Sequence, residues 1–356
     1  MSTVVTIGGP APYDVVIGHG LAEQLPALVG SAATVVTVAD AKVEGRVPAL
    51  HDALRAAGHE VVGFTVGAGE AAKSLEAVAG LWDQLGALRI TRSDAIVAIG
   101  GGATTDSVGF VAATWLRGIR VVHLPTTLLG MVDASIGGKT GINTAAGKNL
   151  VGAFHQPAGV LVDLDVLSTL PGPQWVEGMA EVVKAGFIAD PTILDLIELD
   201  VTAAATPRGP HTRELIERSV AVKAEVVSRD PRESGPREFL NYGHTLAHAI
   251  EQVEDYRIPH GHAVSIGLVF AAALGRRSGR LDPAIADRHT EILSRLGLPV
   301  SYRPDAWPTV SDVMRIDKKT RGTVQRFVIL DGLGKPAILE DPDPSLLEAA
   351  YSEVAA

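Results

Sequence analysis

The chain has 356 residues, of which 46% are hydrophobic and 20% charged; this composition excludes a disordered or fibrous protein and predicts about two globular domains. Its formal net charge of −10 argues against nucleic acid as a partner, because binding to phosphates depends on positive surface charge. The absence of cysteine excludes disulfides, thiolate nucleophiles and cysteine-held metal sites, so any metal ligand must be His, Asp or Glu.

The first 18 residues contain a strand-like segment and lack the basic start and apolar run of a secretory signal. The most apolar stretch, residues 263–274, contains Ser265 and Gly267 and is too short to span a bilayer. We therefore expect a soluble, cytoplasmic protein with no membrane partner.

The first half of the chain alternates strand and helix patterns. Strands are predicted at 13–17, 34–38, 60–65, 95–99, 121–124 and 160–163, and helices at 47–57, 74–85 and 106–116. Strands alternating with helices of this length predict a mainly parallel sheet that is covered on both faces.

After the Pro/Gly cluster at 171–173, helical patterns dominate. Helices are predicted at 175–188, 191–199, 213–228, 238–254, 263–278 and 284–296, loops at 202–210 and 230–236, and one late strand at 326–330. The sequence thus predicts an α/β domain over residues 1–172 and a mainly helical domain over 173–356.

A run of three glycines, Gly100 to Gly102, ends the strand predicted at 95–99 and precedes a helix. Glycines there let the backbone approach a diphosphate at the helix N-terminus, although an ordinary strand-to-helix turn would use them as well. The Gly67–Gly69 turn and the threonines after His123 point to the same edge of the sheet.

Lys139 and Lys148 lie in glycine-flanked, otherwise uncharged stretches. Such lysines suit contacts to phosphate or carboxylate oxygens; the alternative is a pair of exposed loop lysines. With Lys184 and Arg237, they could form the basic pocket that an acidic protein needs for an anionic ligand.

Four histidines, His244, His248, His260 and His262, fall within 19 residues of a chain that has 11 in all. His244 and His248 are spaced to share one helical face, and two imidazoles with one carboxylate form a known ligand set for catalytic zinc. Glu181 and Lys184 lie three positions apart on one helical face, where an ordinary surface ion pair is expected.

Taken together, several motifs in register resemble 3-dehydroquinate synthases of the sugar-phosphate cyclase superfamily, those of actinobacteria most closely. The matching stretches are GGGATTD, TWLRG, HLPTTLLGMVDASIGGKTGIN, GKNLVGAFHQP, EGMAEVVKAG, LNYGHTLAHAIE, HGHAV and DKK. The resemblance implies a Rossmann-like NAD-binding α/β domain, a helical metal-binding domain and a homodimer.

The resemblance also implies roles for individual residues. Zinc or cobalt would be held by Glu181, His244 and His260. NAD would contact Asp40, Glu70, Lys73, Gly101, Gly102, Asp106, Thr126, Thr127, Lys139, Lys148 and Thr169. The catalytic residues would be Asp133, Lys139, Lys148, Lys184, Lys223, Arg237, Asn241 and His248, with Arg117, Asn149, Lys318 and Lys319 binding substrate.

Two positions depart from the family pattern. His262 replaces the usual acid of the His-Gly-Glu motif, and Ala247 replaces the glycine before the second imidazole of the helix motif. The first departure leaves His260 and His262 as competing ligands, of which we favour His260.

The implied reaction is the conversion of 3-deoxy-D-arabino-heptulosonate 7-phosphate, a phosphorylated sugar acid, to 3-dehydroquinate and phosphate. This lyase step belongs to the shikimate pathway, which leads to chorismate and the aromatic amino acids. The alternatives are a related sugar-phosphate cyclase, an NAD- and metal-dependent polyol dehydrogenase, or a non-catalytic binding protein.

Overall fold

The computed structural model describes residues 2–145, 147–321 and 324–356, and all of their side chains except those of 316–321. They form two compact units: Met1–Leu170 with Lys223–Arg232, and Pro171–Val222 with Glu233–Ala356. The predicted division after residue 172 stays a prediction. Within the described residues, no helix has the length and apolarity needed to cross a membrane.

The first unit is built on a β-sheet. Its strands are β1 (Thr3–Ile7), β2 (Tyr13–Gly18), β3 (Thr34–Asp40), β4 (Glu60–Val66), β5 (Ala95–Gly100), β6 (Arg120–Pro125), β7 (Lys139–Thr144), β8 (Gly147–Phe154) and β9 (Gly159–Asp163). Seven of them form one sheet in the order β1-β2-β9-β6-β5-β3-β4, in which only the β1–β2 pair is antiparallel. The predicted mainly parallel sheet is confirmed.

Helices cover both faces of this sheet: α1 (Leu25–Val29), α2 (Val47–Ala56), α3 (Leu75–Ala87) and α4 (Gly102–Thr114). In β5, Ile96 and Ala98 pack in one core with residues of α3 and α4, whereas Val97 and Ile99 pack in another with residues of α1 and α2. Successive side chains of a strand point to opposite faces, so a strand buried on both sides is apolar throughout.

The segment between β6 and β9 holds an antiparallel ribbon, β7 and β8, that the sequence did not predict. Where β8 lies against β7, a Cβ at Gly152 would collide with the carbonyl oxygen of Thr140. Glycine is needed for this close approach. Because glycine has no side chain, these positions lack the alternation of apolar and polar residues by which strands are normally recognised.

The second unit is mainly helical, as predicted. Its helices are α5 (Gly172–Ile188), α6 (Thr192–Leu199), α7 (Val201–Ala204), α8 (Thr212–Arg229, which ends in the first unit), α9 (His244–Val253), α10 (His260–Arg277), α11 (Pro283–Arg295), α12 (Trp307–Arg321) and α13 (Pro344–Ser352). A late strand pair, β10 (Arg326–Leu330) and β11 (Pro336–Glu340), completes it.

Two predicted elements differ from the structure. The single helix expected at 238–254 is wrong, because a 3-10 turn, Pro236–Asn241, precedes Gly243, whose φ of 80° interrupts the helix. The loop expected at 202–210 is wrong at its start, where α7 extends to Ala204. The interruption at Gly243 makes His244 the first residue of α9.

Candidate active site

The glycine turn of the first unit lies where β5 ends. The carbonyl oxygen of Gly101 accepts hydrogen bonds from the amides of Thr104 at 3.0 Å and Thr105 at 3.1 Å. A Cβ at Gly102 would come within 2.9 Å of the Cβ of Ala134, so a side chain there would require a shift. The turn therefore presents backbone amides and the positive end of the α4 dipole, which suit a phosphate group.

Three further predicted cofactor residues lie at the same edge of the sheet. The Thr126 amide, just beyond β6, donates to the carbonyl oxygen of Gly100 at 2.8 Å. A Cβ at Gly101 would contact the Thr127 side chain, and Asp40 ends β3 on the other side of β5. The carboxyl ends of parallel strands meet at one edge, which is where ligands bind in open α/β sheets.

Lys73 is the centre of a buried polar cluster next to this turn. Its Nζ donates to Oδ2 of Asp106 at 2.7 Å and to Oδ1 of Asn149. Burial raises the pKa of Asp106, although Lys73 opposes the shift. Predicted cofactor residues and a predicted substrate residue thus share hydrogen bonds.

Glu70 links the same region to the β7–β8 ribbon. Its carboxylate accepts from Nδ2 of Asn143 at 2.5 Å and lies 3.2 Å from Nζ of Lys148. Lys139, the first residue of β7, is exposed. The ribbon therefore carries both lysines that the sequence singled out.

Asp133 and Lys223 form a second ion pair in the first unit. Asp133 lies in a π-helical turn, Gly130–Ala134, where its carbonyl oxygen and its Oδ1 each lie 2.5 Å from Nζ of Lys223. Such turns are often found at functional sites.

Two further predicted residues follow β9 and α4. Thr169 ends the 3-10 turn after β9 and donates its hydroxyl to the Val166 carbonyl at 2.9 Å. Arg117 follows the other end of α4 from the glycine turn, and α4, at 13 residues, is about 20 Å long. The assignment of Arg117 to the substrate stays a prediction.

In the second unit, Glu181, His244 and His260 converge from three helices. Glu181 lies within α5, whereas His244 and His260 are the first residues of α9 and α10. Oε1 of Glu181 lies 3.3 Å from Nε2 of His244 and 3.5 Å from Nε2 of His260. One ligand atom from each residue lies within 4.8 Å of the others, and no other such group of His and acidic residues occurs among the described residues.

Close helix packing makes this convergence possible. A Cβ at Gly267 of α10 would collide with the carbonyl oxygen of Gly243, and one at Gly261 would collide with the carbonyl oxygen of Glu177 in α5. Glycines at these contacts let α10 approach both α5 and the start of α9.

Both imidazoles present Nε2 because Nδ1 faces an acceptor. Nδ1 of His244 lies 3.1 Å from the carbonyl oxygen of Tyr242, and Nδ1 of His260 lies 3.4 Å from Oε2 of Glu251. In a neutral imidazole one nitrogen carries the proton and the other a lone pair. Two Nε2 lone pairs and the buried Oε1 of Glu181, which has no hydrogen-bond partner among the described residues, fit a divalent metal.

The charges around these residues shift their pKa values. Burial raises the pKa of Glu181, but Lys184, whose Nζ contacts Oε2, and His244 bring it well below its usual range. Burial lowers the pKa of His260, yet Glu181 and Glu251 raise it to about 10. Burial and then Lys184 lower the pKa of His244. A metal would therefore displace a proton from His260 on binding.

The other histidines of the cluster are placed differently. His248 is exposed, and its ring meets that of His244 edge-on at 5.3 Å. His262 is half-buried and outside the convergent group. The geometry supports His260 over His262 as a ligand, and the ligand set stays a proposal.

The remaining predicted residues precede α9 or fall in α12. Arg237 is buried in the 3-10 turn, and Nδ2 of Asn241 donates to Oε1 of Glu233 at 2.6 Å. The side chains of Lys318 and Lys319 lie outside the described residues.

Sequence reasoning missed the groups behind the imidazoles. Glu251 could have been found, because it follows His244 by seven positions and so shares its face of α9. The carbonyl oxygen of Tyr242, which lies 3.1 Å from Nδ1 of His244, has no comparable sequence signal.

Comparisons with protein families match two adjacent parts of the chain to the same family. Residues 63–177 match the model described as 3-dehydroquinate synthase N-terminal, and residues 178–320 match that described as 3-dehydroquinate synthase C-terminal. The chain is 59% identical over 354 residues to a 3-dehydroquinate synthase of Thermobifida fusca, covering 99% of this chain and 96% of the relative. It is 57% identical over 344 residues to one of Mycolicibacterium vanbaalenii, covering 97% and 96%.

Solved structures show the same fold. A 2-epi-5-epi-valiolone synthase from Streptomyces hygroscopicus, with NAD+ and Zn2+ bound, matches with a TM-score of 0.87 at 28% identity over 96% of both chains. A 2-deoxy-scyllo-inosose synthase complexed with carbaglucose-6-phosphate, NAD+ and Co2+ gives 0.87 at 26% identity, over 99% of this chain and 100% of the other. A glycerol dehydrogenase from Schizosaccharomyces pombe, at 18% identity and a TM-score of 0.69 over 96% and 88%, shares the fold alone.

Proposed function

The chain belongs to the 3-dehydroquinate synthase family, and from that premise we propose how its residues carry out the reaction. It is a carbon–oxygen lyase that converts 3-deoxy-D-arabino-heptulosonate 7-phosphate to 3-dehydroquinate and phosphate, in the shikimate pathway of aromatic amino acid biosynthesis. Its cofactors are NAD and one divalent metal, zinc or cobalt.

Glu181, His244 and His260 hold the metal. The observation that carries this assignment is the buried Oε1 of Glu181 facing two Nε2 atoms whose partner nitrogens are already directed at acceptors. When bound, NAD would supply reversible hydride-transfer chemistry and the divalent ion would polarise the reacting hydroxyl oxygen, with no net redox change.

The glycine turn, with Glu70, Lys73, Asp106 and the two threonines, binds NAD. Backbone amides at the start of α4 would bind its diphosphate, and the hydrogen bond between Lys73 and Asp106 would hold these two side chains in place beside it. Asp40, Lys139, Lys148 and Thr169 complete the proposed contacts, and homodimer formation stays a prediction.

The basic residues bind the two anionic groups of the substrate. Lysine and arginine make charge-assisted hydrogen bonds to phosphate and carboxylate oxygens. We assign this role to Lys139, Lys148, Lys184, Lys223 and Arg237, with Asn149 and Asn241 as neutral donors and acceptors. These residues distinguish the proposal from a polyol dehydrogenase, whose substrate has no anionic group to bind.

His248 moves protons at the reacting hydroxyl. Its imidazole is exposed and lies edge-on to that of His244. An imidazole there can accept a hydroxyl proton directly or through one water. Asp133, paired with Lys223, orients that lysine.

One assay tests this function: purified protein with NAD, zinc or cobalt, and the heptulosonate phosphate, followed for phosphate and 3-dehydroquinate together. We expect equal amounts of both products without net NADH, and loss of both in His244→Ala along with bound metal. His211→Ala, which removes a histidine of the same unit outside the convergent group, is the matched control and should keep both. NADH accumulating with a simple polyol, or full activity in His244→Ala, would contradict the proposal.

A further inference from the structure

We propose that Glu251 is a positioning residue for the metal site: it accepts a hydrogen bond from the Nδ1–H of His260 and so directs Nε2 of that imidazole toward Glu181. This inference rests on the proposed metal set of Glu181, His244 and His260. It adds a fourth side chain that does not touch the metal.

The first argument is the placement of His260 between two carboxylates. Its Nε2 lies 3.5 Å from Oε1 of Glu181, and its Nδ1 lies 3.4 Å from Oε2 of Glu251. A neutral imidazole has a single ring proton, and a metal ligand must offer its lone pair to the ion. With the proton on Nδ1, facing Glu251, the lone pair is on Nε2, facing the ligand group.

The second argument is the burial of Glu251. Its relative exposure is 4%, close to the 3% of Glu181. A buried carboxylate is costly unless charged or hydrogen-bonding partners compensate it. His260 supplies such a partner, and a carboxylate behind a ligating histidine raises the basicity of the ligand and fixes its ring.

The third argument is the position of Glu251 on α9. His244 starts this helix, and Glu251 follows it by seven positions, about two helical turns. One face of α9 therefore carries both the proposed ligand His244 and Glu251, the carboxylate that contacts the proposed ligand His260 of α10. Displacing α9 would affect both imidazoles together.

The two imidazoles differ in their outer partners, and this difference makes a specific test possible. His244 faces a neutral carbonyl oxygen, that of Tyr242, whereas His260 faces a charged carboxylate. The carboxylate of Glu251 therefore adds a negative charge beside the group that a divalent cation would enter. Removing that charge should weaken binding without removing a ligand.

The experiment measures the affinity for Co2+ alone by competition with a chelator, together with the visible absorption of bound Co2+. Glu251→Gln keeps the size of the side chain but removes its charge, and we expect binding to be about 10-fold or more weaker, with an altered cobalt spectrum. Glu251→Asp keeps the charge but withdraws the carboxylate, and it should bind with intermediate affinity. It also provides a second reading if the glutamine variant folds poorly.

Glu254→Gln is the matched control. Glu254 lies three positions further along, and its Oε1 accepts from the Tyr302 hydroxyl at 2.6 Å and lies 3.2 Å from Arg303, away from His260. It should bind Co2+ like the unaltered protein. The metal-free thermal midpoint, measured in parallel, separates loss of metal affinity from loss of folding.

The outcomes distinguish this inference from the proposed metal site. If the unaltered protein fails to bind Co2+, or His244→Ala binds it normally, the metal site is wrong. If both behave as expected but Glu251→Gln and Glu254→Gln bind with equal affinity, the metal site stands and the role of Glu251 is overturned.

Discussion

Lys184 lies one helical turn after Glu181 on α5, and its Nζ contacts Oε2 of that carboxylate while Oε1 faces the two imidazoles. The two oxygens of this buried carboxylate thus have different partners. One is neutralised within the helix, and the other is available to a metal.

Lys184→Met tests this division. Removing the lysine leaves a buried carboxylate with less compensation, so we expect the metal-free protein to lose about 3 kcal/mol of stability. A divalent ion would replace the lost positive charge and would no longer be repelled by the lysine. The rise in thermal midpoint on adding Zn2+ should therefore be larger in Lys184→Met than in the unaltered protein, and an equal or smaller rise would contradict the arrangement.

The ion pair between Lys73 and Asp106 predicts that mutations of these two residues have strongly non-additive effects on stability. The two side chains are 4% and 20% exposed, and Nζ lies 2.7 Å from Oδ2. Lys73→Met should lower the free energy of unfolding by about 3 kcal/mol, because it leaves the largely buried carboxylate of Asp106 without its charged partner. Adding Asp106→Asn should recover much of that loss, as measured by urea unfolding in a double-mutant cycle. Purely additive losses would show that the pair is not coupled.

Glycine packing predicts that Gly267→Ala is severely damaging. Its methyl group would collide with the carbonyl oxygen of Gly243 and push α10 away from the start of α9. Zinc affinity should fall together with thermal stability. Gly80→Ala in α3 is the control, because no atom of the described residues outside the local helix backbone lies within 4 Å of the new methyl group. It should be neutral or stabilising by up to about 1 kcal/mol. Zinc binding that survives Gly267→Ala unchanged would refute the packing argument.

His289 predicts a pH dependence of stability in the second unit. Burial lowers the pKa of His289 to about 3, and its Nδ1 donates to the Ile285 carbonyl while its Nε2 accepts from Tyr242. An unfolded histidine titrates near about 6.5, so between these values the unfolded chain binds one more proton than the folded chain. This contribution to stability is complete above about pH 6.5 and falls by up to about 1.4 kcal/mol per pH unit as the pH drops toward 3.

His289→Gln removes that titration. Free energies of unfolding measured in urea at pH 7.5, 6 and 5 should decline less steeply in the variant than in the unaltered protein. His123 has a similarly lowered pKa, about 3, in both proteins and cancels from the difference. Identical slopes would mean that His289 is not held neutral.

Much of the first unit could be predicted because its strands and helices have distinct local patterns. The β7–β8 ribbon could not, since Gly141 and Gly152 are placed for backbone contact across strands and give no period of their own. In the second unit the break before His244 depends on the left-handed backbone of Gly243, and a helical pattern that runs through it conceals the break.

The candidate metal residues show the same limit. Helical spacing pairs His244 with His248, yet the structure turns His248 to solvent and brings in His260 from the next helix. That partnership depends on how α9 packs against α10, which residue spacing does not encode. The family resemblance, by contrast, points to Glu181, His244 and His260.

Anomalous scattering from crystals of the zinc-loaded protein tests the central claim most directly. We expect one anomalous peak, from a zinc ion held by Oε1 of Glu181 and Nε2 of His244 and His260, at about 2.0–2.2 Å from each of these atoms. A peak coordinated by His262 or His248 instead, or no zinc beside Glu181, would contradict the account.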